Sequence, residues 1–288
     1  MGRLLAPLSS RSLSYRRRAL ASGLAMALAP AALVGCASGN ESDEAEPTPL
    51  PSSPSTSSSA GSGLALDLTT DGLNVGPLSE GARIPNRGDR FLSGTVTYPT
   101  DAESPRIVVE HDGAGTGTHL TFPDPCSSGP DCRRGIVEVA SSDVLNPGDA
   151  DFQYGAEVNL LAENIKDGAN VVQKGYSTGG VGQWKLQIDD KAGRPSCVLV
   201  STDDTADVLL AETGVADGVW HTIICRRIGD TLELWIDGRR DAVRDTVPHT
   251  ISTDTPVRIA GKSTKENGDA FFGSIRRVFY GSVDQQTP

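Results

Sequence analysis

The sequence predicts an all-β domain built as a two-layer antiparallel sandwich. Three observations lead there. Polar and apolar side chains alternate through several short segments, as half-buried strands require. Glycine-rich turns separate those segments, at Gly113-Ala114-Gly115, Ser177-Thr178-Gly179-Gly180 and Asp237-Gly238. No segment sustains the apolar period of 3.6 residues that would lay helices on a sheet.

The chain does not begin with that domain. Its first 35 residues hold five arginines (Arg3, Arg11, Arg16, Arg17, Arg18) and no acid, and an apolar stretch of 16 residues runs from Ala19 to Val34. A basic start before a short apolar segment is the layout of a secretory signal, and the stretch is too short for a stable membrane span. Leu33-Val34-Gly35-Cys36 resembles the bacterial lipobox. That resemblance implies cleavage before Cys36 and a diacylglycerol on its thiol, so residues 1–35 are expected to be a lipoprotein signal peptide. Arg16-Arg17 with Ala19-Leu20 also fits a loose twin-arginine pattern, which leaves the export route open. Acyl chains anchor a protein at about 0.8 kcal/mol per buried methylene, enough for stable attachment when two are present. The expected localisation is the extracytoplasmic face of a cell membrane, lipid-anchored.

From Ala37 to Gly63 the chain is Ser, Pro, Thr, Gly and acids, with Leu50 its one large apolar side chain. Such a segment buries too little surface to offset its ordering entropy. Residues 36–63 are therefore expected to be a lipidated cysteine and a disordered linker, with its ends about 30 Å apart as a flexible coil.

Residues 64–288 carry the strands. In Gln183-Trp184-Lys185-Leu186-Gln187-Ile188, alternation puts Trp184, Leu186 and Ile188 on one face. Thr231-Leu232-Glu233-Leu234-Trp235-Ile236 does the same with Leu232, Leu234 and Ile236. Further strands are expected at 106–109, 135–139, 156–160, 198–201 and 275–280. Asp237-Gly238 closes a hairpin after the second of these patterns, because Asp and Gly tolerate positive φ.

Charge narrows the partners. The chain has 26 Lys+Arg against 37 Asp+Glu, a net −11, and without residues 1–35 it has 21 bases against the same acids, a net −16. Nucleic-acid binding needs clustered Lys and Arg and is excluded on this balance.

Of five cysteines, four remain once Cys36 is lipidated. Four thiols in an exported domain imply two disulfides, with three connectivities open. Cys126 and Cys132 lie six apart, a span suited to local closure. That leaves Cys197 with Cys225, both in strand patterns, where a bridge is expected to join two adjacent strands.

Seven stretches, taken in order, resemble a known family: NPGDADFQYGAEV (146–158), GANVVQKG (168–175), GQWKLQIDD (182–190), GRPSC (193–197), DGVWHTIICRR (217–227), LELWIDG (232–238) and DAFFGSIRRVFY (269–280). They are similar to the laminin-G-like jelly rolls of the concanavalin A-like lectin/glucanase superfamily, especially the secreted forms common in actinobacteria. The resemblance implies a jelly-roll sandwich over 64–288. Many relatives end in an Ile-Asp-Asp-Val type strand whose acids sit near a structural calcium. Here that strand reads Ile275-Arg276-Arg277-Val278, and two arginines repel a divalent cation. Asp269, Asn267 and Asp151 remain the candidate ligands for a structural calcium.

Chemistry is sparse. Gly175-Tyr176-Ser177-Thr178-Gly179 matches a serine nucleophile elbow, but a strand pattern follows where that elbow needs a helix, so the stretch reads as a hairpin turn. His111, His119, His221 and His249 show no zinc-binding spacing. His221 reads as a strand-face residue, and Trp220 as core or edge packing. The Arg226-Arg227, Arg239-Arg240 and Arg276-Arg277 pairs read as solvated faces or salt-bridge partners. The carboxylates of Glu233 and Asp237 lie about 13 Å apart along a strand. That exceeds the separation of about 5–9.5 Å that glycosidases use. No catalytic residue is assigned. Trp235 shares a face with Glu233 and Asp237, and the three are the candidate ligand-binding residues, the indole offering a stacking surface for a sugar.

The expectation is a membrane-anchored extracytoplasmic lipoprotein whose non-catalytic module binds glycan or a cell-surface protein. The alternative is a polysaccharide hydrolase or lyase on the same fold, with its catalytic groups assembled across strands.

Overall fold

The computed structural model describes residues 63–89, 91–99, 106–113, 115, 117–123, 134–165, 168–189, 192–246, 250–264 and 269–283. The signal segment, Cys36, the linker, Cys126, Cys132 and Asn267 lie outside the described residues.

Seventeen strands occur among the described residues. The first seven are β1 (Leu64–Thr69), β2 (Gly76–Pro77), β3 (Arg83–Ile84), β4 (Gly94–Thr97), β5 (Val108–His111), β6 (Thr118–Thr121) and β7 (Ile136–Val139). Then come β8 (Phe152–Asn159), β9 (Ala169–Gly175), β10 (Gln183–Asp189), β11 (Arg194–Val200) and β12 (Ala206–Leu210). The last are β13 (His221–Ile228), β14 (Thr231–Ile236), β15 (Arg239–Asp245), β16 (Val257–Ile259) and β17 (Ser274–Ser282). Among the described residues the helical turns are two 3₁₀ turns, Asp143–Leu145 and Ala162–Asn164.

The strands form two antiparallel sheets, as the alternation and the jelly-roll resemblance implied. The nine-stranded sheet runs β15-β14-β13-β8-β17-β6-β5-β2, with β1 also paired to β17. The eight-stranded sheet runs β12-β11-β10-β9-β16-β7-β4-β3. The first and last strands meet, and the Ser282 N–H donates to the Gly63 carbonyl at 3.1 Å.

The core is the set of inward faces. Trp184, Leu186 and Ile188 on β10 and Leu232 and Leu234 on β14 are buried, with Ile236 nearly so, on the faces that alternation assigned. Phe152, Tyr154, Trp184 and Tyr280 form a chain of rings with centroids 5.0–5.8 Å apart. Tyr154 satisfies its hydroxyl by donating to the Lys185 and Val198 carbonyls, so its polar end is not orphaned in the core. Each fully buried aliphatic or aromatic side chain contributes about 1.5–3 kcal/mol relative to exposure.

Cys197 and Cys225 are bonded, with both residues fully buried. The pairing is the one expected, but the geometry corrects the expectation of adjacent strands. Cys197 lies on β11 of one sheet and Cys225 on β13 of the other, so the bridge crosses the core between layers. Both cysteines occupy inward positions of their strands, and inward positions face the opposite sheet rather than the neighbouring strand.

A second correction concerns Arg226-Arg227, which are buried rather than solvated. Arg227 follows Cys225 by two residues and so points inward, its guanidinium 4.8 Å from the Phe152 ring centre and donating to the Gly148 and Ala150 carbonyls. Lys174, fully buried on β9, likewise ties down loops, donating to Ser141 Oγ at 3.3 Å, to Asn146 Oδ1 at 2.8 Å and to the Thr253 carbonyl. Burial pushes its pKa down to about 8, against a smaller upward pull from Asp254 and Asp143.

Candidate functional site

The outward face of the eight-stranded sheet is set by the same alternation that buries Trp184. With Trp184, Leu186 and Ile188 inside, Gln183, Lys185 and Gln187 stand outside on β10. Register then lines up one outward residue from each neighbouring strand. Lys185 pairs with Val198 on β11 and with Gln173 on β9, and Val198 pairs with Val208 on β12. On the other side Gln173 pairs with Arg258 on β16, and Arg258 with Glu138 on β7. One row thus crosses six strands: Val208, Val198, Lys185, Gln173, Arg258, Glu138. At about 4.8 Å per strand it is roughly 24 Å long.

A groove of about 670 Å³ lies over this row, with Gln173, Gln183, Lys185, Gln187, Val198 and Val208 among its lining residues. The β9–β10 connection forms one wall, with Tyr176, Ser177, Thr178 and Val181, and Lys262, Ser263 and Asp269 form another. The stretch that matched a nucleophile elbow is this wall. It joins two antiparallel strands of one sheet, as the reading of a hairpin turn required. Gly175 makes the turn, with φ +86°, and a Cβ there would lie 1.9 Å from the Gly182 carbonyl oxygen. Asp204 holds the turn from outside by accepting the Gly180 N–H at 2.8 Å.

Polarity in the groove is graded. Val208 and Val198 make an apolar end. Three amides stand in the middle, and beyond the groove Arg258 places its Nε 2.8 Å from Glu138 Oε1 and donates from Nη1 to the Tyr176 hydroxyl at 2.7 Å. Tyr176 is 39% exposed at the rim, with the Arg258 guanidinium over one face of its ring at 5.6 Å from the centre. Lys262 pairs with Asp269 at 3.0 Å. Burial lowers the Lys185 pKa, while the charges of Asp269 and Asp189 act to raise it. An apolar surface with a few convergent polar groups and an exposed aromatic ring is the composition of a small-ligand site.

The sequence-derived candidates lie on the other sheet. Trp235 donates from Nε1 to Glu233 Oε2 at 2.8 Å, Glu233 Oε1 accepts from Arg240 at 2.7 Å, and the Arg226 guanidinium sits 4.9 Å from the indole centre. Arg226 therefore occupies one face of the ring. Asp237 belongs to the β14–β15 turn, with φ +51°, and accepts from the Thr222 N–H at 2.9 Å. Its other oxygen lies 2.7 Å from His221 Nδ1, while His221 Nε2 lies 3.2 Å from Asp217. Burial disfavours the imidazolium, but its bonds to Asp237 and Asp217 outweigh that and hold the His221 pKa above its ordinary value. The structure brings Trp235 and Glu233 together and leaves Asp237 in a separate clamp.

Of the calcium candidates, the two described ones, Asp151 and Asp269, are not brought together either. Asp151 precedes β8 and accepts the Gly229 N–H at 2.7 Å. Asp269 leads into β17, whose first residue pairs with the last of β8, and it is held by Lys262. Asp151 and Asp269 therefore sit toward opposite ends of an eight-residue strand and do not fit one ion. No group of three His, Cys, Asp or Glu placed to hold a metal occurs among the described residues. The two arginines that replace the relatives' acids are engaged with Asp67, Asp112 and Glu157. Arg276 also stacks 4.1 Å from the Trp220 ring centre, which makes Trp220 an edge-packing residue.

Sequence reasoning placed Gln183, Lys185 and Gln187 outside but did not mark them as a site. A polar outer face is the default for any sandwich strand, and the partners on β9, β11 and β12 come from register across the sheet, which alternation within one segment does not specify.

A model described as the Concanavalin A-like lectin/glucanases superfamily, of laminin-G type, matches residues 137–280. No curated protein matches the chain. Among solved structures, the binding domain of Paraclostridial Mosquitocidal Protein 1 superposes with a TM-score of 0.51 at 11% identity, over 77% of this chain and 49% of that one. A structure of botulinum neurotoxin type C, whose cell entry is described as dependent on two ganglioside molecules, gives 0.51 at 12%, over 77% and 49%. Domain 4 of AbnA, an extracellular arabinanase from Geobacillus stearothermophilus, in complex with arabinotriose, gives 0.51 at 12%, over 76% and 92%. The chain spans about half the length of the toxin domains it matches. At these identities the likeness is one of fold.

Proposed function

This chain belongs to the Concanavalin A-like lectin/glucanases superfamily, and from that premise we propose that it is a non-catalytic binding module whose ligand is a glycan held along the outer face of the eight-stranded sheet. The observation that carries the reading is the part of the row from Val208 to Gln173, which lines a groove flanked by the exposed Tyr176 side chain. The half-buried Lys185 ammonium and Gln187 amide satisfy sugar hydroxyls, and an aromatic ring covers the apolar face of a pyranose or furanose. The arabinotriose of the arabinanase domain and the gangliosides of the neurotoxin support a sugar as the ligand class.

The module works, on this reading, at the extracytoplasmic face of a membrane. Cys36 carries the diacylglycerol, and residues 37–63 tether the domain. Gly63, the last residue of the tether, precedes β1 and accepts from the Ser282 N–H, so the tether joins the domain where β17 finishes.

Two measurements test the proposal. Detergent-solubilised full-length protein is applied to a glycan array. Retention of at least one glycan, lost in a Tyr176→Ala, Gln183→Ala double variant, is the expected result, and no retention of any glycan overturns the binding reading. The mass of the mature N-terminal peptide tests the anchor. A diacylglycerol-modified Cys36 is expected, and an unmodified cysteine removes the membrane localisation.

A further inference from the structure

The groove is chemically asymmetric in a way that selects among sugars. Several basic side chains elsewhere on the described surface are matched to acids. In a second cleft, of about 360 Å³, Arg87 is paired with Asp71, Arg277 with Asp67, and Arg276 with Asp112 and Glu157. Arg240 is paired with Glu233 and Arg244 with Asp207. Lys185 differs. Its Nζ makes no hydrogen bond or ion pair with any described residue, although it stands half-buried at the centre of the row, between Gln173 and Val198. Its neighbours on β10, Gln183 and Gln187, do not answer its charge, and their amide nitrogens are spent on Gly175 and Asp189. The one carboxylate lining the groove, Asp269, is bound to Lys262.

Holding an ammonium half out of water without an acceptor is costly unless an anion completes it. Resting on the glycan-binding reading above, we propose that the groove takes an acidic glycan, with a sugar carboxylate or sulfate ester seated on the Lys185 ammonium. The half-buried Gln187 then faces the neighbouring hydroxyls, and Val208 faces the apolar side of the next sugar. The chain's net charge of −11 repels a polyanion at a distance. At physiological salt that repulsion is screened over about 8 Å, so the charge at the contact decides.

The test is calorimetric titration of the full-length protein with oligosaccharides of equal length: an oligogalacturonate, a sulfated galactan fragment and a neutral galactan fragment. The expected result is binding of an acidic oligosaccharide at least about tenfold tighter than the neutral one, with the first two arms telling carboxylate from sulfate. Lys185→Gln loses about tenfold toward the acidic ligand, while Lys185→Arg stays within about threefold. Equal affinity for neutral and acidic fragments, unchanged in Lys185→Gln, overturns the acidic assignment and leaves the glycan-binding reading standing. Binding of none of the three, together with a blank glycan array, overturns both. Should Lys185→Gln fail to fold, wild-type competition decides: displacement of a bound oligosaccharide by galacturonate or galactose 6-sulfate but not by galactose is expected, and equal displacement by galactose overturns the proposal.

Discussion

Cys197 on β11 and Cys225 on β13 are bonded across the core, their Cα atoms 5.7 Å apart and 28 residues apart in sequence. The two strands belong to different sheets and share no edge, so the bridge ties the layers together at a point where only side-chain packing otherwise holds them. It lies beside β10 and β8, the strands that carry Lys185 and the Tyr154 ring, with Cys197 paired to Leu186 and Cys225 to Tyr154. Closing a loop of this length constrains the unfolded chain by about 3–4 kcal/mol in the chain-entropy account. The Cys197→Ala, Cys225→Ala double variant is expected to lose about that much in urea unfolding, plus a smaller packing loss. An unchanged midpoint contradicts the structural role.

Gly175 closes the wall of the groove with a backbone that other residues adopt only under strain. Gly175→Ala combines that strain with a Cβ driven into the Gly182 carbonyl. The expected cost is about 2–4 kcal/mol, with loss of glycan retention as the β9–β10 turn deforms. A variant with wild-type stability and binding refutes the tight approach.

The Asp217–His221–Asp237 clamp has a defined pH window. The His221 pKa is raised in the folded state, so its contribution is complete below about 6.5 and is lost as pH rises through the folded value. Asp217 is held below the ordinary carboxylate range by the Val219 N–H and by His221, so its part is lost only as pH falls through that lowered value. Both aspartates of the clamp are about half exposed, and solvent screening keeps the effect below about 1 kcal/mol. Melting of the wild type is expected to decline from pH 6 to pH 8 relative to His221→Gln, and parallel curves refute the clamp.

Lys174 titrates in the opposite sense. Its pKa is about 8 in the fold against about 10.4 unfolded, so the unfolded chain binds more protons between these values and stability from this group rises with pH. Lys174→Met is expected to abolish that rise. At neutral pH it costs about 1–3 kcal/mol, because the Asn146 and Thr253 acceptors lose their donor. Denaturant midpoints at pH 7 and pH 9.5 measure both effects.

Trp235 and Tyr176 separate the two candidate faces. Trp235→Ala removes the bond to Glu233 and the stacking with Arg226, and is expected to cost about 1–2 kcal/mol without changing glycan retention. Tyr176→Ala is expected to weaken retention by about tenfold with little change in melting. The reverse pattern moves the site to the nine-stranded sheet.

Local sequence determined a great deal of this protein. Alternation in 183–188 and 231–236 buried Trp184, Leu186, Leu232 and Leu234 as expected, and Asp237-Gly238 made its turn, because the period of two and the tolerance of positive φ are properties of short segments. The Cys197–Cys225 pairing was also legible, from residue spacing alone. Tertiary structure decided the rest. Which sheet each strand joins depends on non-local pairing, so the disulfide crosses layers, Arg227 turns inward onto Phe152, and Asp151 and Asp269 part company along β8. The row through Lys185 exists only because four consecutive strands, β9 to β12, stack in one register with each other and with β16 and β7. No single segment encodes its neighbours across a sheet, and a ligand groove is made of those neighbours.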